Sequence, residues 1–202
     1  MTLPAAQIDW LGFVAAVAIL EATPGVNMAW LAGLSLTKGR RAGLAATAGI
    51  AIGLMLNAML AGAGLAEVVQ THPELQVWLR RGGAVLMVVL AWRTWIDQST
   101  EPSPHDGRNG FAAGLLLNII NPKAFVFFLV VVPPFLSGGA LQLRQAFALG
   151  LTSVVIATAV HLVIVFSAAH AHAWLSDTNR TRVVRRIMAG VMIGVAVWFL
   201  AG

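Results

Sequence analysis

Glu21-Ala22-Thr23-Pro24-Gly25-Val26-Asn27 and Asn118-Ile119-Ile120-Asn121-Pro122-Lys123 are the two stretches that decide the fold. Each sets a proline among polar residues inside a long apolar run. Proline has no amide hydrogen, and its ring collides with the preceding turn, so a helix kinks or stops there. In a bilayer no water meets the freed carbonyls. Such a break persists only where protein or a wet cavity satisfies them. One break in each half of an apolar chain is the pattern that marks a solute site in a membrane carrier.

The rest of the chain supplies the membrane. Hydrophobic residues fill 58% of the 202 positions and charged residues 10%, against roughly 25% charged in soluble domains. At about 20 residues per crossing, six spans are expected: 8–36 (broken at Pro24), 42–69, 75–96, 111–134 (broken at Pro122), 145–169 and 183–201. They make one all-α integral membrane domain over residues 1–202, with no length left for a soluble domain. The first ten residues lack a basic region and a small-residue cleavage site, so no signal peptide is expected.

The polar linker Asp97–Asn109 divides the spans three and three. Offset by 98, Phe13, Ala15, Pro24 and Leu31 match Phe111, Ala113, Pro122 and Leu129. Offset by 105, Arg80-Arg81, Ala84, Met87 and Ala91 match Arg185-Arg186, Ala189, Met192 and Ala196. An odd number of spans turns the second half over, which gives two inverted three-helix repeats, about 8–96 and 111–201.

Lys38, Arg40, Arg41, Arg93, Arg108, Arg180, Arg182, Arg185 and Arg186 fall on one side of the membrane; Arg80, Arg81 and Arg144 fall on the other. The richer side is expected to be cytoplasmic, with both termini outside. Arg80-Arg81 runs against this rule, and long side chains at a span end snorkel to the interface. Six tryptophans near span ends form an aromatic belt, and Trp30 is the exception. In span 2, Ala45-x-x-x-Gly49-x-x-x-Gly53 permits close helix approach, either inside the molecule or between two copies. A homodimer is possible, and no residue demands one.

Several classes are excluded or disfavoured. The net charge of +5 is spread between apolar spans, not gathered on a basic face, so nucleic acid is not a partner. There is no cysteine, hence no disulfide, thiolate metal site or cysteine nucleophile. Phosphate-loop and Ser/His/Asp signatures are absent; no cofactor, no direct ATP drive and no enzymatic activity are expected. His170-Ala171-His172 is read as an interfacial loop, since residues two apart on a helix diverge. His72 and His105 are read as loop residues.

Pro24-Gly25-Val26-Asn27, Gly39-Arg40-Arg41-Ala42-Gly43, Gly49 with Gly53, and Asn118-x-x-Asn121-Pro122-Lys123-Ala124 with the aromatic run Phe125–Phe128 and Pro133 resemble, in order and on the matching spans, the lysine-exporter (LysE/RhtB) family of small bacterial amino-acid exporters. The resemblance covers essentially the whole chain. It implies a secondary transporter in the bacterial cytoplasmic membrane that exports an amino acid or derivative, driven by the proton gradient. Val26 stands where the family has a second proline, and Glu21 where an apolar residue is expected.

An amino acid brings one carboxylate and one ammonium, and a site of low dielectric must meet both. Half-helices starting after Pro24 or Pro122 offer amide donors and a positive dipole end, and Gly25 lets backbone come close. Asn27, Asn118 and Asn121 donate and accept; holding the breaks in shape is the competing role, most evenly matched at Asn118. Glu21 and Lys123 are the clear intramembrane charges, and such charges are functional by default. Either Glu21 carries the coupling proton or meets the ammonium while Lys123 holds a carboxylate, or the two form a structural ion pair. Asn57 and His161 are the further candidates for lining the path, chosen from a set that includes Thr152, Ser153 and Thr158. Two other functions need more than Glu21 and His161 supply. A cation or heavy-metal exporter requires converging carboxylates or histidines, and an intramembrane enzyme on lipid-like substrates requires paired acids or a nucleophile dyad. A non-transporting scaffold would gain nothing from the breaks.

Overall fold

The computed structural model describes residues 7–22, 26–63, 72–96, 104–121, 127, 132, 135–137, 142–174 and 178–201. Among these, six helices carry the chain: α1 (Trp10–Ala22), α2 (Val26–Gly62), α3 (Pro73–Ile96), α4 (Pro104–Ile119), α5 (Leu143–Trp174) and α6 (Thr178–Ala201). The all-α expectation needs one small amendment. Strands β1 (Gln7–Ile8) and β2 (Leu136–Ser137) pair antiparallel, Gln7 opposite Ser137.

Helix bounds differ from the sequence reading in instructive places. α2 joins two expected spans and bends at Gly39, whose φ of 77° is open to glycine and costly for other residues. The bend leaves two arms, 26–38 and 40–62. α4 begins at Pro104, seven residues before the expected 111. Proline suits the first helical position, where its missing N–H costs nothing, so half of the linker is helix and His105 is not in a loop. α5 runs on to Trp174, because no Gly or Pro stops the run Ser167-Ala168-Ala169; His170-Ala171-His172 is therefore helical. By length and composition, two helices among the described residues can cross a membrane, Asn27–Gly62 and Leu143–Ala171. Arm 40–62 alone reaches about 35 Å at 1.5 Å per residue, the thickness of a bilayer core.

Arm 40–62 is the central post. A β-carbon at Gly49 would fall on the Phe111 carbonyl oxygen, and one at Gly114 on that of Ala46; one at Gly110 would lie 2.8 Å from the Ala42 oxygen. Arm 40–62 and α4 thus touch backbone to backbone. On its other side, Gly62 meets Ala146, and Ala58 meets Gly150. The small-residue stripe of span 2 is spent inside the molecule.

These contacts fix an axis. Passing along arm 40–62, Ala42 and Ala46 face α4, Ile50 and Leu54 come next, and Ala58 and Ala61 join a core of Phe13, Val17, Phe127, Val132 and Leu149. α5 runs antiparallel, from Leu149 in that core to Val165 in a second core with Trp30, Leu31, Ile50 and Leu117. The molecule has an Asp9 end and a Lys38 end. α3 and α6 add Ala84, Met87, Ala91, Ala189, Met192 and Ala196 to the second core. Large apolar side chains face outward, among them Leu11 at 83% exposure and Val163 at 67%. A surface of this kind suits lipid, not water.

Candidate functional site

A cavity lies between the two cores. α1 contributes Val17, Leu20 and Glu21; arm 26–38, Asn27 and Met28; arm 40–62, Ile50 and Leu54; α4 and its end, Asn118 and Asn121; α5, Ser153, Ala157 and His161; Phe127 completes the wall. Steps of three and four residues put the α1, arm 40–62, α4 and α5 sets each on one face. The space open to the centre of a water molecule is about 30 Å³, room for two or so waters at about 10–15 Å³ each. That space is too small for an amino acid as it stands.

The polar groups meet across the chain's two halves. The Asn27 Nδ2 donates to Asn118 Oδ1 at 2.7 Å, 91 residues away in sequence. The Asn118 carbonyl explains the helix end. Its ordinary donor would be the amide of residue 122, but that residue is proline and has no N–H. The carbonyl instead accepts Asn57 Nδ2 at 2.9 Å and the Asn121 amide at 3.2 Å. Asn57, 1% exposed, does not line the cavity; it holds the frayed end of α4 against arm 40–62. Two buried atoms at the cavity stay without partners, the acceptor Asn27 Oδ1 and the donor Asn118 Nδ2. Turning both amides over exchanges their roles and leaves the same tally: one spare donor, one spare acceptor.

The structure therefore brings Glu21, Asn27, Asn118, Asn121 and His161 to one cavity. Pro24, Gly25, Pro122 and Lys123 lie outside the described residues. Ser153 also lines it, though its hydroxyl donates to Leu149 O at 2.9 Å in its own helix. Thr152 likewise bonds Ala148 O, at 3.0 Å. Among the described residues no three His, Asp or Glu side chains gather.

Sequence reasoning missed two things. At the Asp9 end, the rings of Phe13 and Phe127 (centroids 5.8 Å apart) and of Phe13 and Phe135 (6.2 Å) stack behind the cavity. There Asp9 N donates to Phe135 O at 2.9 Å beside the β1–β2 pair. At the Lys38 end a second, larger hollow lies between arm 26–38, α3 and α4, lined by Trp30, Lys38, Arg93 and Asn109 among others. Ser153 and His161 were among the polar residues named in span 5; the aromatic cluster needs residues from both halves.

Residues 18–202 match the family pattern described as LysE type translocator. The chain belongs to the LysE type translocator family. The homoserine/homoserine lactone efflux protein of Salmonella typhimurium is 23% identical over 189 residues, 91% of this chain and 92% of that protein. An uncharacterized membrane protein of Vibrio cholerae is 26% identical over 152 residues, 73% of this chain and 74% of that one. One from Pseudomonas aeruginosa is 25% identical over 203 residues, 95% and 91%. No solved structure matches. As a LysE type translocator the chain is an all-α membrane protein that moves a small molecule and is not an enzyme.

Proposed function

We propose that this translocator exports a small zwitterionic amino acid, or a close derivative, out of the bacterial cytoplasm in exchange for protons. The observation that carries the reading is the pair of unpartnered amide atoms at Asn27 and Asn118. An unsatisfied buried donor costs about 1–3 kcal/mol, and so does an acceptor. A carboxylate beside the donor and an ammonium beside the acceptor would recover both. The amides opening α2 at Val26 add a positive dipole end for the carboxylate. Relatives named for homoserine efflux make homoserine the first solute to try.

Six crossings in two inverted repeats, broken at Pro24 and Pro122, remain the best account of the topology. It is supported by the meeting of Ala84, Met87 and Ala91 with Ala189, Met192 and Ala196, positions that the 105 offset pairs. The arginine-rich Lys38 end then faces the cytoplasm, and alternating access moves one repeat against the other. Glu21 at the cavity is the carrier of the coupling proton, with Lys123 as a carboxylate partner. A structural Glu21–Lys123 ion pair is the competing role.

The test is efflux from cells loaded with homoserine, with and without an uncoupler. Asn118→Ala keeps the backbone carbonyl that Asn57 holds, and removes the spare donor together with the bond to Asn27. Export efficiency should fall about 30- to 100-fold for about 2–3 kcal/mol of lost contact. Glu21→Gln should leave export unable to follow the proton gradient; normal gradient-driven export by this variant removes Glu21 from the role. Unchanged export by Asn118→Ala would sink the site.

A further inference from the structure

We infer that Gly39 is a hinge and Ser35 its latch, so that arm 26–38 swings as the moving wall of the solute site. The inference rests on the export reading above and deepens it. The two arms of α2 are held unequally. Arm 40–62 is fixed through backbone and short side chains: Gly49 on the Phe111 carbonyl, Ala46 against Gly114, Gly62 on Ala146. At its first residue, the Arg40 guanidinium lies 4.7 Å from the centre of the Phe166 ring of α5. Arm 26–38 meets α6 more softly. A β-carbon at Gly33 would lie 3.3 Å from the Met192 side chain and 3.4 Å from that of Met188. Methionine is unbranched and flexible, so such a contact re-forms after a shift. Between the arms stands Gly39, which has the one positive φ among the described residues. Glycine has the widest choice of backbone angle, so one residue sets the angle between a fixed arm and a softer one.

The softer arm carries Asn27 and Met28 to the cavity. Twelve residues of helix from Asn27 to Gly39 span about 18 Å, so a turn of about 10° at the hinge moves Asn27 by about 3 Å. That is enough to break its 2.7 Å bond to Asn118 and to widen the cavity.

Ser35 is what a rigid bend does not explain. It is 0% exposed and its hydroxyl has no partner. A buried helical hydroxyl can bond the carbonyl four residues back. Thr37, Thr47 and Ser153 do so, on Gly33 O at 2.7 Å, Gly43 O at 3.0 Å and Leu149 O at 2.9 Å. The Ser35 hydroxyl instead points across the elbow: a β-carbon at Gly43 would fall on it, and would lie 2.9 Å from the Val165 side chain. Close packing at the bend accounts for Gly43 but leaves the hydroxyl unused. Once the arm swings off Gly43 and Val165, the hydroxyl turns back to Leu31 O. One unsatisfied buried hydroxyl thus favours the open elbow by about ten-fold.

The chain has no cysteine, so Ser35→Cys with Gly43→Cys places two thiols within reach of one disulfide. In proteoliposomes, oxidation of this pair should bring homoserine efflux down to the level of empty liposomes, and dithiothreitol should restore it. Neither single variant should respond to the oxidant. If the pair does not fold, Ser35→Ala decides alone. It removes the unused hydroxyl at little change in volume, so the shut elbow gains. A thiol at the cavity from Ala157→Cys should then react about ten times more slowly with a membrane-permeant maleimide. Efflux by the oxidised pair at its reduced rate, or labelling that is not slowed in Ser35→Ala, would overturn the hinge. Homoserine efflux with labelling not slowed leaves the export reading standing without it. Slowed labelling in a protein that moves no homoserine does the reverse.

Discussion

The two ends of the solute path are built in opposite ways. At the Asp9 end the chain closes it with matter drawn from both halves: Phe13 and Phe127 are 0% and 2% exposed, and backbone bonds tie residues 7–9 to 135–137. At the Lys38 end the path widens into a hollow whose donors are long, charged and partly wet. One end is held by aromatic packing and backbone bonds; at the other, the buried Trp30 lines the hollow as part of the second core. The lesson is that the cavity between them is not symmetric. In the proposed orientation, the end with the firmer packing among the described residues is the outward one.

The largest break of this contrast is Phe13→Ala. Removing a buried phenyl ring costs about 3–5 kcal/mol in a packed core. If about 2 kcal/mol of this falls on the sealed state alone, the open population rises about 30-fold. A thiol placed by Ala157→Cys at the cavity should react about 30 times faster with an impermeant maleimide applied from the Asp9 end. Solute efflux in the same variant should become a leak that persists when the proton gradient is collapsed. Unchanged labelling would show that the aromatic stack is packing and not a seal.

How much of this was legible follows the range of the contacts. The second proline motif was legible to the extent that residue 122 has no amide to offer the carbonyl of Asn118. It did not say who would cap it. Asn57, expected on the path, is that cap, since a bond across 61 residues leaves no trace in local spacing. Glycine spacing announced close helix approach and could not choose the partner; at Gly49 the partner is the Phe111 carbonyl of the same chain, with no room for a β-carbon. Glu21 was legible as a rare charge in an apolar run, and His161 as a polar candidate for lining the path. The hollow was not, because Lys38 and Arg93 read equally well as orientation signals, and only the packing of α3 against arm 26–38 and α4 turns them into a lining.

A middle-sized effect sharpens the contrast from the other end. Trp30→Ala removes a buried ring that lines the hollow two residues from Met28 at the cavity, and leaves the Asp9 packing intact. Labelling of Ala157→Cys from the Lys38 end should rise about three- to ten-fold, less than for Phe13→Ala, because this end is the less firmly packed; about 1 kcal/mol of gate energy corresponds to about five-fold. Any leak should be far smaller than in Phe13→Ala, because the firmer of the two barriers stays in place. A leak in Trp30→Ala as large as in Phe13→Ala would mean that the ends are equivalent.

The smallest effect concerns how the seal is anchored. Asp9 caps α1: its Oδ1 accepts the Gly12 amide at 3.0 Å, while its own amide holds Phe135 O. A β-carbon at Gly12 would lie 2.9 Å from the Phe135 ring, so the cap, the helix start and the stack share one small space. Asp9→Ala removes the side-chain cap and keeps the backbone bond. Loss of such a cap costs about 1 kcal/mol, which frays the first turn of α1 just where Phe13 begins. Labelling from the Asp9 end should therefore rise by only about five-fold, and Asp9→Asn, which still caps, should restore it. If Asp9→Asn behaved like Asp9→Ala, the charge and not the cap would be what Asp9 contributes. The seal would then be electrostatic at its rim and aromatic only in its depth.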